Sequence, residues 1–435
     1  MDITSALDWL GEHIDHESGT AGIAAGAIDG LSLEPMAELM HVLGDPQHAM
    51  PVIHVTGTNG KGSTVAMLRS LLMANGLSVG TFTSPHLERV NERIARDGVP
   101  IPDTELAEVL EGIASVESML SAPPTWFEIL TAAALRWFAE APVDVAVVEV
   151  GLLGRYDATN IVTADVAVIT NVGGDHTDFS PGWQARVAGE KAGIITPGRP
   201  AVLGMVASDL LAVFEAEGAE PLIAEARDFE LTDARLAVGG RMIDVDGPEG
   251  SHHDVLVGIH GAHQADNAAI ALTAAEAFFG RRLDDEVVTQ AFAELELPGR
   301  LEVVGHQPLV VLDTAHNADA LSAVASTIDE DFAVVGSRVV VIGMLAGRDP
   351  AAAAEALSVA RPDLVICTDV AQGDRALPGA VLAAACETAG LPAEVVADPA
   401  AALARALTSA GEEDLVLVTG SFRLPALVRS AIDQP

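Results

Sequence analysis

The sequence predicts an α/β fold: a mostly parallel central sheet of P-loop type with helices on both faces, a small strand-rich insert, and a second α/β unit toward the C-terminus. Three observations carry that expectation. Short β-branched apolar runs, such as residues 144–153 and 337–345, have the length and composition of buried parallel strands. Longer stretches between them show apolar residues at helical spacing. A glycine-rich turn, residues 57–62, joins one strand to one helix, at the strand end where open α/β sheets bind ligands.

The elements follow in order. The first 50 residues read as helical, with Leu7, Leu10, Leu31, Met36, Leu39 and Leu43 on apolar faces. A strand at 51–56 leads through the turn into a helix at 63–75, which Gly76 ends. A strand at 78–83, helices at 103–120 and 126–140, strands at 144–150 and 165–171 and a helix near 184–193 continue the pattern. Short alternating runs at 201–205, 231–238, 242–245 and 254–259, broken by Gly, Asp and Pro, read as the insert, about 200–260. A helix at 265–279 follows. Residues 294–298 read as a linker, so the domains are expected over 1–296 and 297–435. In the second, strands at 309–313, 339–343, 364–368, 393–397 and 415–419 alternate with Ala-rich helices, as in a Rossmann-like domain.

Composition excludes several functions. The 435 residues hold 63 Asp plus Glu against 23 Lys plus Arg, for a net charge of −40. Nucleic acid and anionic membranes bind basic surfaces, so neither is expected as a partner. No apolar run approaches the roughly 18–20 residues of a membrane span. Residues 1–19 are acidic and lack the pattern of a secretion signal. Two cysteines, Cys367 and Cys386, cannot build a disulfide framework, which points to a reducing cytosol. Only two of the cations are lysines, Lys61 and Lys191.

The turn reads Gly57-Thr58-Asn59-Gly60-Lys61-Gly62-Ser63-Thr64. Backbone N–H groups of such a loop, with the helix N-terminus behind them, cradle phosphate. A lysine there neutralises phosphate charge, and a Ser or Thr hydroxyl reaches Mg²⁺. The strict Walker pattern fails, since Val55 stands at its first glycine and Gly62 separates Lys61 from Ser63. A glycine-rich turn with a chance lysine is the alternative.

This variant and the segments around it resemble the bacterial folylpolyglutamate synthase/dihydrofolate synthase family of the Mur-ligase superfamily. The likeness runs through Leu43-Gly44-Asp45-Pro46-Gln47, Ile53-His54-Val55, Thr83-Ser84-Pro85-His86-Leu87, Asn91-Glu92-Arg93-Ile94, Glu149-Val150-Gly151, Asp157-Ala158-Thr159-Asn160, Asp175-His176-Thr177 and Glu190-Lys191-Ala192-Gly193. It continues through His263-Gln264-Ala265-Asp266-Asn267, Pro298-Gly299-Arg300-Leu301-Glu302, Asp313-Thr314-Ala315-His316-Asn317 and Thr419-Gly420-Ser421-Phe422.

The resemblance implies an ATP-dependent ligase that phosphorylates a pterin carboxylate and joins the acyl phosphate to L-glutamate. The implied small-molecule partners are ATP, L-glutamate and dihydropteroate or a reduced folate, in a cytoplasmic monomer. Thr58, Asn59, Gly60, Lys61, Gly62, Ser63 and Thr64 would hold the nucleotide phosphates, with Asn267 at the adenine, and Arg300 and Asp313 as further nucleotide contacts. Ser84, Glu149 and His176 would bind Mg²⁺. Lys191 would carry a CO₂-derived carbamate holding a second Mg²⁺, a role closed to arginine, whose guanidinium stays protonated. Lys61, Lys191 and His316 would be catalytic, with Asn317 beside His316 and His263 near the nucleotide. Phe127, Arg155 and Asp157 would meet the pterin.

Each assignment has a plainer counterpart. Glu149 could be an ordinary strand-end residue, His176 a hydrogen-bonded structural histidine, Lys191 a surface lysine, Phe127 a core aromatic and Asp313 a helix cap. The chain also departs from the family pattern. It reads Gly151-Leu152-Leu153-Gly154-Arg155-Tyr156-Asp157 where Gly-Leu-Gly-Gly-Arg-Leu-Asp is usual, and Gly347-Arg348-Asp349 where Asp-Lys-Asp is usual. Other readings are a Mur-type ligase for another carboxylate, a non-catalytic nucleotide-binding regulator and a simple P-loop NTPase. Only about 50 residues precede the loop, too few for a separate nucleotide-sugar domain.

Overall fold

The computed structural model describes residues 1–15, 32–175, 177, 179–332, 336–371, 375 and 377–432. Leu31 and His176 lie outside the described residues. The strands are β1 (Val52–Thr56), β2 (Val79–Phe82), β3 (Ile94–Arg96), β4 (Val99–Pro100), β5 (Val145–Glu149), β6 (Val166–Ile169), β7 (Ala201–Leu203) and β8 (Leu222–Ala224). They continue as β9 (Glu230–Ala237), β10 (Gly240–Gly247), β11 (Gly250–Val257), β12 (Glu302–His306), β13 (Leu309–Leu312), β14 (Arg338–Ile342), β15 (Leu364–Cys367), β16 (Ala393–Val395) and β17 (Leu415–Thr419). The chain forms two compact units. One comprises Met1–Arg235, Met242–Val257 and Gln264–Leu295; the other comprises Leu236–Arg241, Gly258–His263 and Glu296–Pro435.

In the first unit an eight-stranded sheet runs β4-β3-β2-β5-β1-β6-β7-β8. Strands β2, β5, β1, β6, β7 and β8 are parallel, and β3 and β4 close one edge antiparallel. Every residue of β1 is buried, as a central parallel strand requires. Neighbours β1 and β5 send their connections in opposite directions, toward β2 and β6, which opens a crevice at their carboxyl ends.

Four helices, Ile3–Gly11, Glu34–Val42, Asp103–Val116 and Trp126–Glu140, share an apolar core with Val52, Phe82, Ala146 and Val148. The last is fixed at its start by a capping box: Glu128 N–H donates to Thr125, and Thr125 N–H donates to Glu128 over 2.7 Å. Helix Lys61–Ala74 packs on β1, β2 and β5 and ends before Gly76, at φ +89°.

The insert is smaller than expected. Its own sheet is β11-β10-β9, whereas the run near 201–205 supplies β7 of the main sheet. The reason is legible afterwards: Ala201, Val202 and Leu203 are buried without alternation, the pattern of a strand covered on both faces.

In the second unit the order is β12-β13-β17-β14-β15-β16. All pairs are parallel except the edge pair β12–β13. The five expected strands form, and β12 is an addition: its half-buried residues lack clean alternation, and its register shifts between Val303 and Gly305. Asn317, Asp349 and Asp398 cap the helices that follow β13, β14 and β16. Among the described residues no helix is long and apolar enough to cross a membrane.

One buried ion pair anchors the second unit. Arg241 donates to Asp331, whose side chain is fully buried and also accepts from Gly261 N–H over 2.8 Å. Removing the carboxylate leaves the Arg241 guanidinium to exposed Glu330, 3.2 Å away, and strands the buried Gly261 N–H, so Asp331→Ala should lower stability by about 3 kcal/mol. Urea denaturation monitored on the full chain measures it; an unchanged midpoint would contradict the role given to this pair.

Candidate active site

Strand β1 delivers the phosphate loop. Gly57 (φ +156°) and Gly60 (φ +84°) take backbone conformations that favour glycine. Space demands it too: a Cβ at Gly57 would lie 1.7 Å from Thr170 Oγ1, and one at Gly60 would lie 2.3 Å from Asn267 Oδ1. Gly60 also caps helix Lys61–Ala74 without a side chain, so its first-turn N–H groups carry no side-chain cap. That is the geometry of an anion site at a helix N-terminus. Lys61 Nζ folds back and donates to the Gly57 carbonyl over 3.1 Å.

The loop is braced from the end of β6. Asn171 Oδ1 accepts from Thr58 N–H (3.2 Å) and Asn59 N–H (3.0 Å). Thr170 Oγ1 and Asn171 Nδ2 donate to the Asn59 carbonyl over 2.6 and 3.0 Å. Neither residue was picked out as functional from the sequence; polar residues ending an apolar strand were the available signal. Asn267 stands against Gly60 and donates to Gln264 over 3.0 Å, so the structure brings this predicted nucleotide residue to the loop.

Two predicted metal residues meet at the carboxyl ends of β2 and β5. Ser84 N–H donates to Glu149 Oε2 over 3.2 Å, and Glu149 is buried. In register, Glu149 pairs with Val55, two residues before the loop. The Glu149 carboxylate and a Ser84 hydroxyl are hard-oxygen donors by type, which suits Mg²⁺. Thr64 Oγ1, buried in the first helical turn, has no hydrogen-bond partner among the described residues. His176, the third predicted ligand, lies outside the described residues.

Lys191 is no surface lysine. It is 3 % exposed on helix Trp183–Ala192. Burial, reinforced by the Lys61 charge, holds its amine well below the usual lysine range; Asp175 pulls the other way. The segment after β5 grips this helix. Arg155 N–H donates to the Glu190 carbonyl over 2.8 Å, and Asn160 Nδ2 donates to the Gly193 carbonyl over 3.0 Å. A Cβ at Gly154 would lie 2.7 Å from the Glu190 carbonyl oxygen.

The predicted pterin residues divide. Phe127 packs on Phe82 at a centroid distance of 5.7 Å, and its ring covers Gly151, where a Cβ would lie 2.5 Å from it. Arg155 is ion-paired to Glu217 and donates to the Gly189 carbonyl over 2.9 Å. Asp157 is buried and accepts from Leu152 N–H and Thr159 N–H over 2.8 and 3.0 Å, so its carboxylate holds its own segment together. Burial nonetheless pushes its pKa up, against those hydrogen bonds. Leu153, in place of the usual glycine, keeps the left-handed backbone at φ +59°, a cost of roughly 1–2 kcal/mol per residue. Its side chain is offset by packing on Val187, beside Leu152 and Trp183. Tyr156 is exposed.

In the second unit Asp313 is not a helix cap; Asn317 is, accepting from Ala320 N–H over 2.9 Å. Asp313 is buried and accepts from Leu301 N–H (3.0 Å) and Ala315 N–H (2.7 Å). Burial raises its pKa, opposed by the Arg300 charge. Arg300 donates to the Thr314 hydroxyl. His316, half-buried, lies 3.1 Å through Nδ1 from the Thr314 carbonyl and meets the edge of Phe422 at 6.5 Å. His263 is pushed down to about 4 by burial first and Arg300 second. Asp349, in the departing Gly-Arg-Asp segment, accepts from Ala351 N–H and Ala352 N–H as a cap.

Gly60→Ala tests the loop. The strained φ and the contact with Asn267 should weaken nucleotide binding at least about tenfold. Calorimetric titration with ADP measures it, and wild-type affinity would contradict the geometry described.

The Mur ligase middle domain matches residues 55–275, and the Mur ligase glutamate ligase domain matches residues 299–422. The dihydrofolate synthase/folylpolyglutamate synthase of Mycobacterium tuberculosis is 42% identical over 325 residues, 69% of this chain and 67% of the relative. The folylpolyglutamate synthase of Mycobacterium tuberculosis, solved with ADP and AMPPCP, superposes with a TM-score of 0.89 at 33% identity, covering 100% of each chain. A bifunctional folylpolyglutamate synthase/dihydrofolate synthase with Mn, AMPPNP and L-glutamate bound superposes with a TM-score of 0.86 at 31% identity, covering 99% of this chain and 98% of that one. The chain belongs to the Mur ligase family, on the branch of the folylpolyglutamate and dihydrofolate synthases.

Proposed function

We propose that this protein is an ATP- and Mg²⁺-dependent ligase that adds L-glutamate to dihydropteroate, to the γ-carboxylate of reduced folates, or to both. The observation that carries the reading is the gathering of the phosphate loop, the Ser84–Glu149 pair and buried Lys191 within one unit, on segments that leave the central strands of its sheet. The relatives' names and the ligands of their solved complexes supply the substrate class.

The chemistry has two steps. A substrate carboxylate oxygen attacks the γ-phosphorus of ATP, the bond to the ADP oxygen breaks, and an acyl phosphate forms. The glutamate amine then attacks the acyl carbon, loses a proton, and phosphate leaves as the amide forms. Both steps bring anions together, so positioning and charge neutralisation dominate. Mg²⁺ would supply charge neutralisation between the phosphate oxygens, held by Glu149 and Ser84 with His176. The loop N–H groups grip phosphate, and Lys61 offsets its charge.

A buried amine depressed below its usual range is the neutral form that adds to CO₂ with loss of a proton. We therefore assign Lys191 the carbamate, an anion able to hold a second Mg²⁺. In the second unit, Arg300 and Asp313 serve the nucleotide and His316 the glutamate side. Residues 1–296 form the ATP-binding part and 297–435 the glutamate-ligase part of a cytoplasmic monomer.

Phosphate release from purified protein with ATP, Mg²⁺ and glutamate, with dihydropteroate and tetrahydrofolate added separately, tests the reading. Release should require a pterin substrate and stop with EDTA; no pterin-dependent release with either would refute it. Lys191→Ala should lose at least about 100-fold in kcat, with no recovery in bicarbonate. Full activity in that variant would refute the carbamate.

A further inference from the structure

His54 and Thr56 precede the phosphate loop on β1, and neither has been given a role above. They lie two residues apart on β1, so both side chains leave the same face of the strand. Both are fully buried. His54 Nε2 lies 2.9 Å from Thr159 Oγ1, which donates to Asp157 Oδ1 over 2.5 Å. The hydroxyl has one proton and gives it to the carboxylate, so the imidazole must donate to the hydroxyl. His54 is thus the neutral Nε2–H tautomer. Its Nδ1 is buried with no hydrogen-bond partner among the described residues, which an N–H there would not tolerate. Asp157 in turn holds Leu152 N–H over 2.8 Å.

Thr56 acts on the same segment from one turn of the pleat further on. Its Oγ1 donates to the Leu153 carbonyl over 2.6 Å. Leu153 is the residue with the left-handed backbone, and the next residue after Thr56 is Gly57 of the phosphate loop.

We propose that His54 and Thr56 are positioning residues that fix residues 151–159, so that the strand presenting the phosphate loop also sets the place of the pterin-binding segment. This rests on the pterin assignment made above. Neither side chain is asked to touch substrate; each acts through a hydrogen bond to the segment.

The test compares His54→Leu, His54→Gln and Thr56→Val in the full chain, by steady-state kinetics and amide hydrogen exchange. Gln keeps an N–H donor near the place of Nε2; Leu removes it. His54→Leu should raise the KM for the pterin substrate at least about tenfold, leave the KM for ATP unchanged, and speed exchange at the Leu152 and Thr159 amides. His54→Gln should restore both readouts, and Thr56→Val should raise the same KM. Wild-type KM values in His54→Leu, or equal losses in the Leu and Gln variants, would overturn the proposal. If the wild-type chain turns over no pterin substrate, the functional reading fails and exchange alone decides. Unchanged exchange in His54→Leu then overturns the positioning role, and faster exchange restored by Gln sustains it.

Discussion

Burial holds the Lys191 amine well below the usual lysine range, and the nearby Lys61 charge adds to that effect while Asp175 opposes it. A buried amine beside a half-buried cation holds its proton poorly, and nearby negative charge offsets this only in part. In the proposed reading, nucleotide phosphate would neutralise Lys61 and a carbamate on Lys191 would replace repulsion by attraction. In a chain with a net charge of −40, anionic substrates meet an adverse overall field, so such local cations and bound metal must do the binding. Under the proposed carbamate role, position 191 needs a lysine because addition to CO₂ requires an amine that can lose its proton, which arginine does not supply.

Strand β1 sets the geometry that this charge arrangement needs. Its carboxyl end becomes the loop, its register aligns Glu149 with Val55, and the side chains on one face hold residues 151–159. The glycines at 57 and 60 are required by close approach as well as by φ, because Thr170 and Asn267 fill the space a Cβ would need. Residues 151–160 in turn grip the helix of Lys191, so phosphate loop and carbamate candidate are tied to one sheet by short polar links.

Much of this was legible in the sequence. The parallel strands announced themselves as buried β-branched runs, and β17 and the helix Trp126–Glu140 match their expected bounds. The phosphate loop, Glu149 and Lys191 were readable because motif order and composition mark them. What stayed hidden was three-dimensional reuse. Asp313, expected at the nucleotide with helix capping as its plainer reading, leaves the cap to Asn317 and ties down Leu301 and Ala315. Arg155 and Asp157, expected at the pterin, also hold the Lys191 helix and their own segment, a structural task their spacing in the sequence does not show. β7 looked like part of the insert because three residues carry too little pattern to separate a main-sheet strand from a short alternating run.

The central claim is that these residues serve transfer of a phosphoryl group from ATP to a carboxylate, which glutamate then displaces. Isotope transfer reads that step directly. With the reacting carboxylate of the pterin substrate labelled with ¹⁸O on both oxygens, one labelled oxygen should appear in the inorganic phosphate and one should remain in the amide. Phosphate released without label, while amide forms at the normal rate, would contradict the account.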